Sequence, residues 1–265
     1  MAQVTPEEVT PEQAAPNGAV PPTPGPEDEG MTMLEHLEEL RQRMIASAIA
    51  FILGLVASMV PLPPNWDTNL TWTVVNLVIT PVGYDRVQAI RPAELFFAYF
   101  QVAMLIAVAI AMPVIIYQIM AFVAPALYQH EKKYLYMAMP GVSISFIIGV
   151  LFGYLLIVPA AVTFLINFGA GTVQQKWSFA EYLDTVTTLL FWMGLAFELP
   201  LGIFFLCKIR VLDANRLRRF RKYALVLAFI IGAVITPTPD PFNQTLVSLP
   251  LYLLFEIGLL LARLA

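Results

Sequence analysis

A chain that strings apolar runs of bilayer length one after another has few ways to fold. In hydrocarbon every backbone N–H and C=O must be satisfied within the protein, so only helices or a closed barrel can cross. A helical crossing needs about 20 apolar residues at 1.5 Å each. The run Met44–Val60 just meets that length before Pro61, Pro63 and Pro64, and Leu95–Val123 and Leu135–Ile166 exceed it. The excess predicts tilt or kinks, with kinks at Pro113, Pro140 and Pro159. A fourth helix is expected from Ser178, which forms a capping box with Glu181, to Leu206. A fifth run, Tyr223–Ile235, and a sixth, about Leu246–Leu261, are short. They predict a hairpin turning at Thr236–Pro241, with bilayer thinning or water entry on that side. Composition agrees: 58% of the 265 residues are hydrophobic and 13% charged, with a mean hydropathy of +0.72. That excludes a soluble globular class. The expected fold is an all-α membrane protein of six transmembrane helices, with the last two spans short.

The net charge of −4 is unevenly spread. Residues 1–30 hold six acids, seven prolines and no Lys or Arg, leaving a net +2 for the rest. With too little apolar surface to fold and no secretory signal core, this stretch is read as a disordered acidic cytoplasmic tail ahead of a membrane domain at 31–265. Six crossings place both termini on one side. That side carries twelve Lys and Arg, against Arg86, Arg91 and Lys176 on the other, so the positive-inside rule makes both ends cytoplasmic. Residues 61–93 form the longest loop, in which Val74–Ile79 is too short to span and is placed as an interfacial helix or cap. Cys207 is unpaired and reads as a small core hydrophobe.

No catalytic signature is present. His36 and His130 flank no HExxH, Gly141-Val142-Ser143 lacks the glycine of a serine-nucleophile motif, and there is no phosphate-binding glycine loop. The chain is read as a non-enzyme that needs no metal or cofactor. What stands out is the placement of acids. The helix opened by Thr32 and Glu35 carries Glu39 to the cytoplasmic edge, and Glu131 sits at the cytoplasmic start of the third helix. Two rim carboxylates suit paired guanidinium groups, each a planar fork donating two parallel hydrogen bonds. Equally, Glu39 and Arg43 at i,i+4 stabilise a helix by about 0.2 to 0.5 kcal/mol without any ligand. Glu131 likewise suits a helix dipole. Glu198, about 15 Å from Lys208 along the helix, serves either function or a buried structural hydrogen bond. Gly149 and Gly153 form a GxxxG, for which plain helix packing competes with a dimer seam. Glu256 reads as an interfacial acid.

Taken together, the motifs resemble one family. They are His36-Leu37-Glu38-Glu39-Leu40-Arg41; Pro113 through Gln118; Ala121-Phe122-Val123-Ala124-Pro125 with Leu127-Tyr128 and His130-Glu131; Phe197-Glu198-Leu199-Pro200; and Thr238-Pro239-Asp240 with Gln244, Pro250 and Phe255-Glu256-Ile257-Gly258. Their order and spacing resemble the TatC family of the twin-arginine protein translocase over residues 31–263. The resemblance implies a receptor that binds Arg-Arg signal peptides and starts export of folded proteins, driven by the proton-motive force. It places signal-binding residues at Glu39 and Glu131, with Arg41 and Phe122 beside them, an intramembrane acid at Glu198, a sensitive loop proline at Pro81, and further functional positions at Asp240 and Gln244. It also implies a concave bundle, TatB-like and TatA-like single-span partners, an oligomer in the bacterial inner membrane, and no nucleic acid. The competing reading is a proton-coupled small-solute transporter using Glu198, against which stands the lack of paired interrupted segments in two halves.

Overall fold

The computed structural model describes residues 33–61, 69–124, 129–168, 176–236 and 240–263, without the side chains of Met33, Tyr84 and residues 129–139. The expected tail, Thr32 of the first capping box and residues 237–239 of the expected turn lie outside the described residues. Packing divides the chain between Glu38 and Glu39. The described part of the first unit is a helical stretch, Met33–Glu38, that exposes Leu34 and Leu37. The second unit, from Glu39 onward, is a helical bundle.

The helices are α1 (Met33–Met59), α2 (Leu70–Ile79), α3 (Glu94–Val123), α4 (Gln129–Phe152), α5 (Val158–Asn167), α6 (Phe179–Ala196), α7 (Glu198–Lys208), α8 (Ala214–Arg219), α9 (Arg221–Ile235) and α10 (Pro241–Ala262). Two strands of two residues, β1 (Val87–Gln88) and β2 (Trp177–Ser178), pair in parallel. Among the described residues five stretches are long and apolar enough to cross a membrane: Leu34–Met59, Glu94–Val123, Pro140–Asn167, Phe179–Lys208 and Pro241–Ala262. The short crossing is α9, whose 15 residues reach about 22 Å against about 30 Å of hydrocarbon.

Three expectations are corrected by local chemistry, and one is met. The last helix is not short: it starts at Pro241 and has 22 residues, about 33 Å. Asp240 Oδ1 accepts the Asn243 N–H at 2.7 Å, and Pro241 takes a first-turn position where its missing N–H costs nothing. The fourth helix is not one piece, because Pro200 cannot donate to the carbonyl of Ala196 and its ring crowds it. Helix α6 therefore ends at Ala196 and α7 restarts at Glu198. In the third, the break expected at Pro159 is present as a five-residue π-helical turn, Gly153–Ile157, between α4 and α5, since Pro159 leaves a carbonyl one turn back without its donor, while α3 and α4 continue through Pro113 and Pro140. Finally, α2 begins four residues before Val74, capped by Asn69, whose side chain accepts from Trp72 N–H at 2.9 Å.

Helix α2 is held firmly. Pro81 cannot donate to the carbonyl of Leu77, so the last turn of α2 is left with acceptors to satisfy. Tyr154 OH donates to the Leu77 carbonyl at 3.1 Å, and Tyr182 OH to that of Val78 at 2.7 Å. Val75, Val78 and Ile79 thereby join Val102, Val158, Leu183 and Val186 in one core.

The α4–α6 seam is tighter still. A Cβ at Gly149 would lie 2.6 Å from the Met193 carbonyl oxygen, and one at Gly194 would lie 2.6 Å from the Phe146 ring. Gly153 faces Leu190 and Met193. The GxxxG is thus occupied within this chain, as plain helix packing. On the other side α10 packs on α7 and α9, with Gly232 against Ser248 and Gly258 against Ile203 and Pro200.

Candidate functional site

Helix α1 runs from the basic end of the bundle and α3 returns to it. Arg43 Nη1 donates to Gln118 Oε1 at 3.3 Å, which fixes the register between the two. Glu39 lies one turn before Arg43 on α1, and half-buried Phe122 one turn after Gln118 on α3, so both belong to this end. Glu131 is the third residue of α4, the helix that begins where α3 has ended; its side chain is outside the described residues. Arg41 is exposed on α1.

Glu39 is enclosed, with its side chain 17% exposed. One oxygen, Oε1, accepts from Nε of Arg43 at 2.9 Å and from Nη2 at 2.6 Å. The sequence foresees this pair, but not its extension to Gln118, which comes from 75 residues away. Arg43 is thus a guanidinium clamped between an acid on its own helix and an amide on α3. As an i,i+4 pair, Glu39 and Arg43 add about 0.2 to 0.5 kcal/mol to α1.

Glu198 opens α7 inside the span Phe179–Lys208. Both its carboxylate oxygens are buried, and neither has a hydrogen-bond partner within bonding geometry; the Phe146 backbone on α4 supplies only a weak polar contact. Close by, Ser145 Oγ donates to the Phe197 carbonyl at 2.7 Å, where α6 breaks. A buried polar group without a partner costs about 1 to 3 kcal/mol. Glu198→Leu is accordingly expected to raise the thermal midpoint of the detergent-solubilised chain by several degrees while lowering export, measured by unfolding fluorescence and a precursor-transport assay. A stability loss would instead make Glu198 a packing residue.

The remaining candidates have structural partners. Pro81 ends α2. Asp240 caps α10, with Asn243 Nδ2 donating to its Oδ2 at 2.9 Å. Gln244 Nε2 donates to the Phe229 carbonyl at 3.1 Å, tying α10 to α9. Glu256 is more than an interfacial acid: Arg221 Nη2 donates to Oε2 at 2.6 Å and Tyr252 OH to Oε1 at 2.8 Å.

One acid escaped the sequence reading altogether. Glu94, buried at the opposite end of the bundle, accepts from the N–H groups of Ile90 at 2.6 Å and Arg91 at 2.9 Å through Oε2. Through Oε1 it accepts from Ala180 N–H at 2.8 Å and from Ser178 Oγ. A first-turn acid in α3 is visible in the sequence, but partners more than 80 residues away are not.

Apolar crossings, a guanidinium-holding acid at the basic end and a carboxylate set inside a span define a multi-pass membrane protein of the transport class. The family model described as Sec-independent protein translocase protein (TatC) matches residues 35–250, and the chain belongs to that family. It is therefore a non-enzymatic component of protein export. It is 37% identical over 247 residues to Sec-independent protein translocase protein TatC of Deinococcus radiodurans, covering 90% of this chain and 88% of that protein. To the protein of the same name from Escherichia coli K12 it is 34% identical over 239 residues, covering 89% and 90%. Among solved structures it is similar to the crystal structure of the twin arginine translocase receptor TatC, with a TM-score of 0.74 and 34% identity, covering 87% of this chain and 99% of that one.

Proposed function

We propose that this chain is a receptor for twin-arginine signal peptides, in which Glu39 and Glu131 take the two guanidinium groups while Arg41 and Phe122 shape the entry. The observation that carries this reading is the Arg43–Glu39–Gln118 arrangement: the acid already holds a guanidinium at 2.6 and 2.9 Å. A peptide arginine takes the place of Arg43. Two charged contacts of about 1.5 to 3 kcal/mol each fall short of the roughly 8 kcal/mol of micromolar binding. The apolar segment of the signal supplies the rest. The recess lined by Phe51, Met104, Leu105, Val108, Phe191 and Trp192, of about 290 Å³, offers it apolar walls between α1, α3 and α6.

In this reading both termini face the cytoplasm, and Glu198 is an intramembrane polar site. Single-span partners of the TatA and TatB kind join it, and the proton-motive force drives passage. Photocrosslinking from a probe carried on the signal peptide beside its twin residues tests it. Arg-Arg peptides are expected to crosslink far better than Lys-Lys peptides, and Glu39→Ala with Glu131→Ala is expected to erase that preference while leaving weak apolar binding. Equal capture of both peptides by the unaltered chain refutes the proposal.

A further inference from the structure

The link between α7 and α9 carries a charged corner that neither the recognition site nor the packing uses. Asn215, Arg218, Arg219 and Arg221 line an open recess of about 510 Å³. Arg216, Arg218 and Arg219 are exposed and make no ion pair among the described residues. The acids nearby are already engaged. Asp213 caps α8, its Oδ1 accepting the Asn215 N–H at 2.8 Å, and Glu256 is divided between Arg221 and Tyr252. Even Arg221, which has that partner, keeps a buried Nε with no hydrogen bond.

We propose that this corner binds the headgroup of an anionic phospholipid. Arginine forks suit phosphate oxygens, and basic clusters beside a membrane helix attract anionic lipid at about 1 kcal/mol per charge. Three features select a lipid over a soluble anion. The corner opens directly onto α9, whose Val226, Leu227, Ile230 and Val234 are all more than half exposed, an apolar wall suited to an acyl chain. Phe220 and Tyr223 are also more than half exposed, and Lys222 Nζ lies 5.1 Å from the Tyr223 ring centroid, an aromatic and basic pairing typical of the interface. A helix shorter than the hydrocarbon is accommodated by bilayer thinning or by snorkelling of its flanking residues, and either brings headgroups and Arg218, Arg219 and Arg221 together.

The test uses the full chain in nanodiscs or detergent, with bound lipid counted by native mass spectrometry. Phosphatidylglycerol is expected to be retained over phosphatidylcholine, and Arg218→Gln with Arg219→Gln to weaken that retention roughly tenfold or more. The single variant Arg219→Gln should show a smaller loss and serves if the double variant misfolds. Arg86→Gln with Arg91→Gln, a matched charge loss at the opposite end, should leave retention unchanged. An equal loss in that control, or none in the double variant, overturns the proposal. So does complete displacement of the lipid by millimolar inorganic phosphate, which would mark a soluble-anion site, or preferential capture of an acidic peptide.

Discussion

Replacing Glu94 with alanine is expected to lower the thermal midpoint of the purified chain by on the order of 10 °C. The carboxylate gathers donors from Ile90, Arg91, Ser178 and Ala180. Removing it leaves part-buried N–H groups of two segments without their acceptor, and an orphaned donor bears part of its desolvation cost. The damage should fall on one end of the molecule, where the start of α3, the β1–β2 pair and the start of α6 meet. Glu94→Gln keeps one good acceptor and should lose less; Ser178→Ala removes a single donor and should lose least. Thermal unfolding followed by intrinsic fluorescence ranks the three. An alanine variant as stable as the parent would show that the donors find water instead.

The second large effect concerns the opposite end. Exchanging the pair, Glu39→Arg with Arg43→Glu, preserves opposite charges at i,i+4 and so leaves the helix nearly as stable as before, since such a pair contributes only about 0.2 to 0.5 kcal/mol. Twin-arginine peptide affinity should nonetheless fall roughly ten- to hundredfold, the equivalent of one charged hydrogen bond. Fluorescence anisotropy with a labelled signal peptide provides the affinity and a melting curve the stability. Retained affinity with retained stability would mean that the 39–43 pair is only a helix staple.

Legibility followed distance along the chain. The apolar runs announced the crossings, and Ser178 with Glu181 announced the start of α6 within a residue, because hydropathy and caps are written in neighbouring positions. The break at Phe197 was also local, yet it was masked: Pro200 sat inside a run apolar enough to look continuous. Asp240-Pro241 continues the turn signal of a proline-rich stretch, which hides the first five helical residues of α10. Glu39, Glu131 and Glu198 stood out as acids where acids are costly. Gln118 and Glu94 did not, because what distinguishes them is a partner brought from 75 to 86 residues away. The two-residue strand pair was invisible for the same reason.

Helix α1 has little holding it. Only 11% of its apolar window is buried inside the protein. Its described ties to α2 and α3 are a close approach of Gly54 to Ala107, the Thr71 and Asn69 side chains donating to the carbonyls of Ser58 and Met59, and Arg43 on Gln118. The last of these runs through the same guanidinium that occupies Glu39. In the proposed binding mode, a peptide arginine that takes the place of Arg43 at Glu39 also disturbs the guanidinium that reaches Gln118, so cargo docking and one of the few α1–α3 contacts draw on a single side chain.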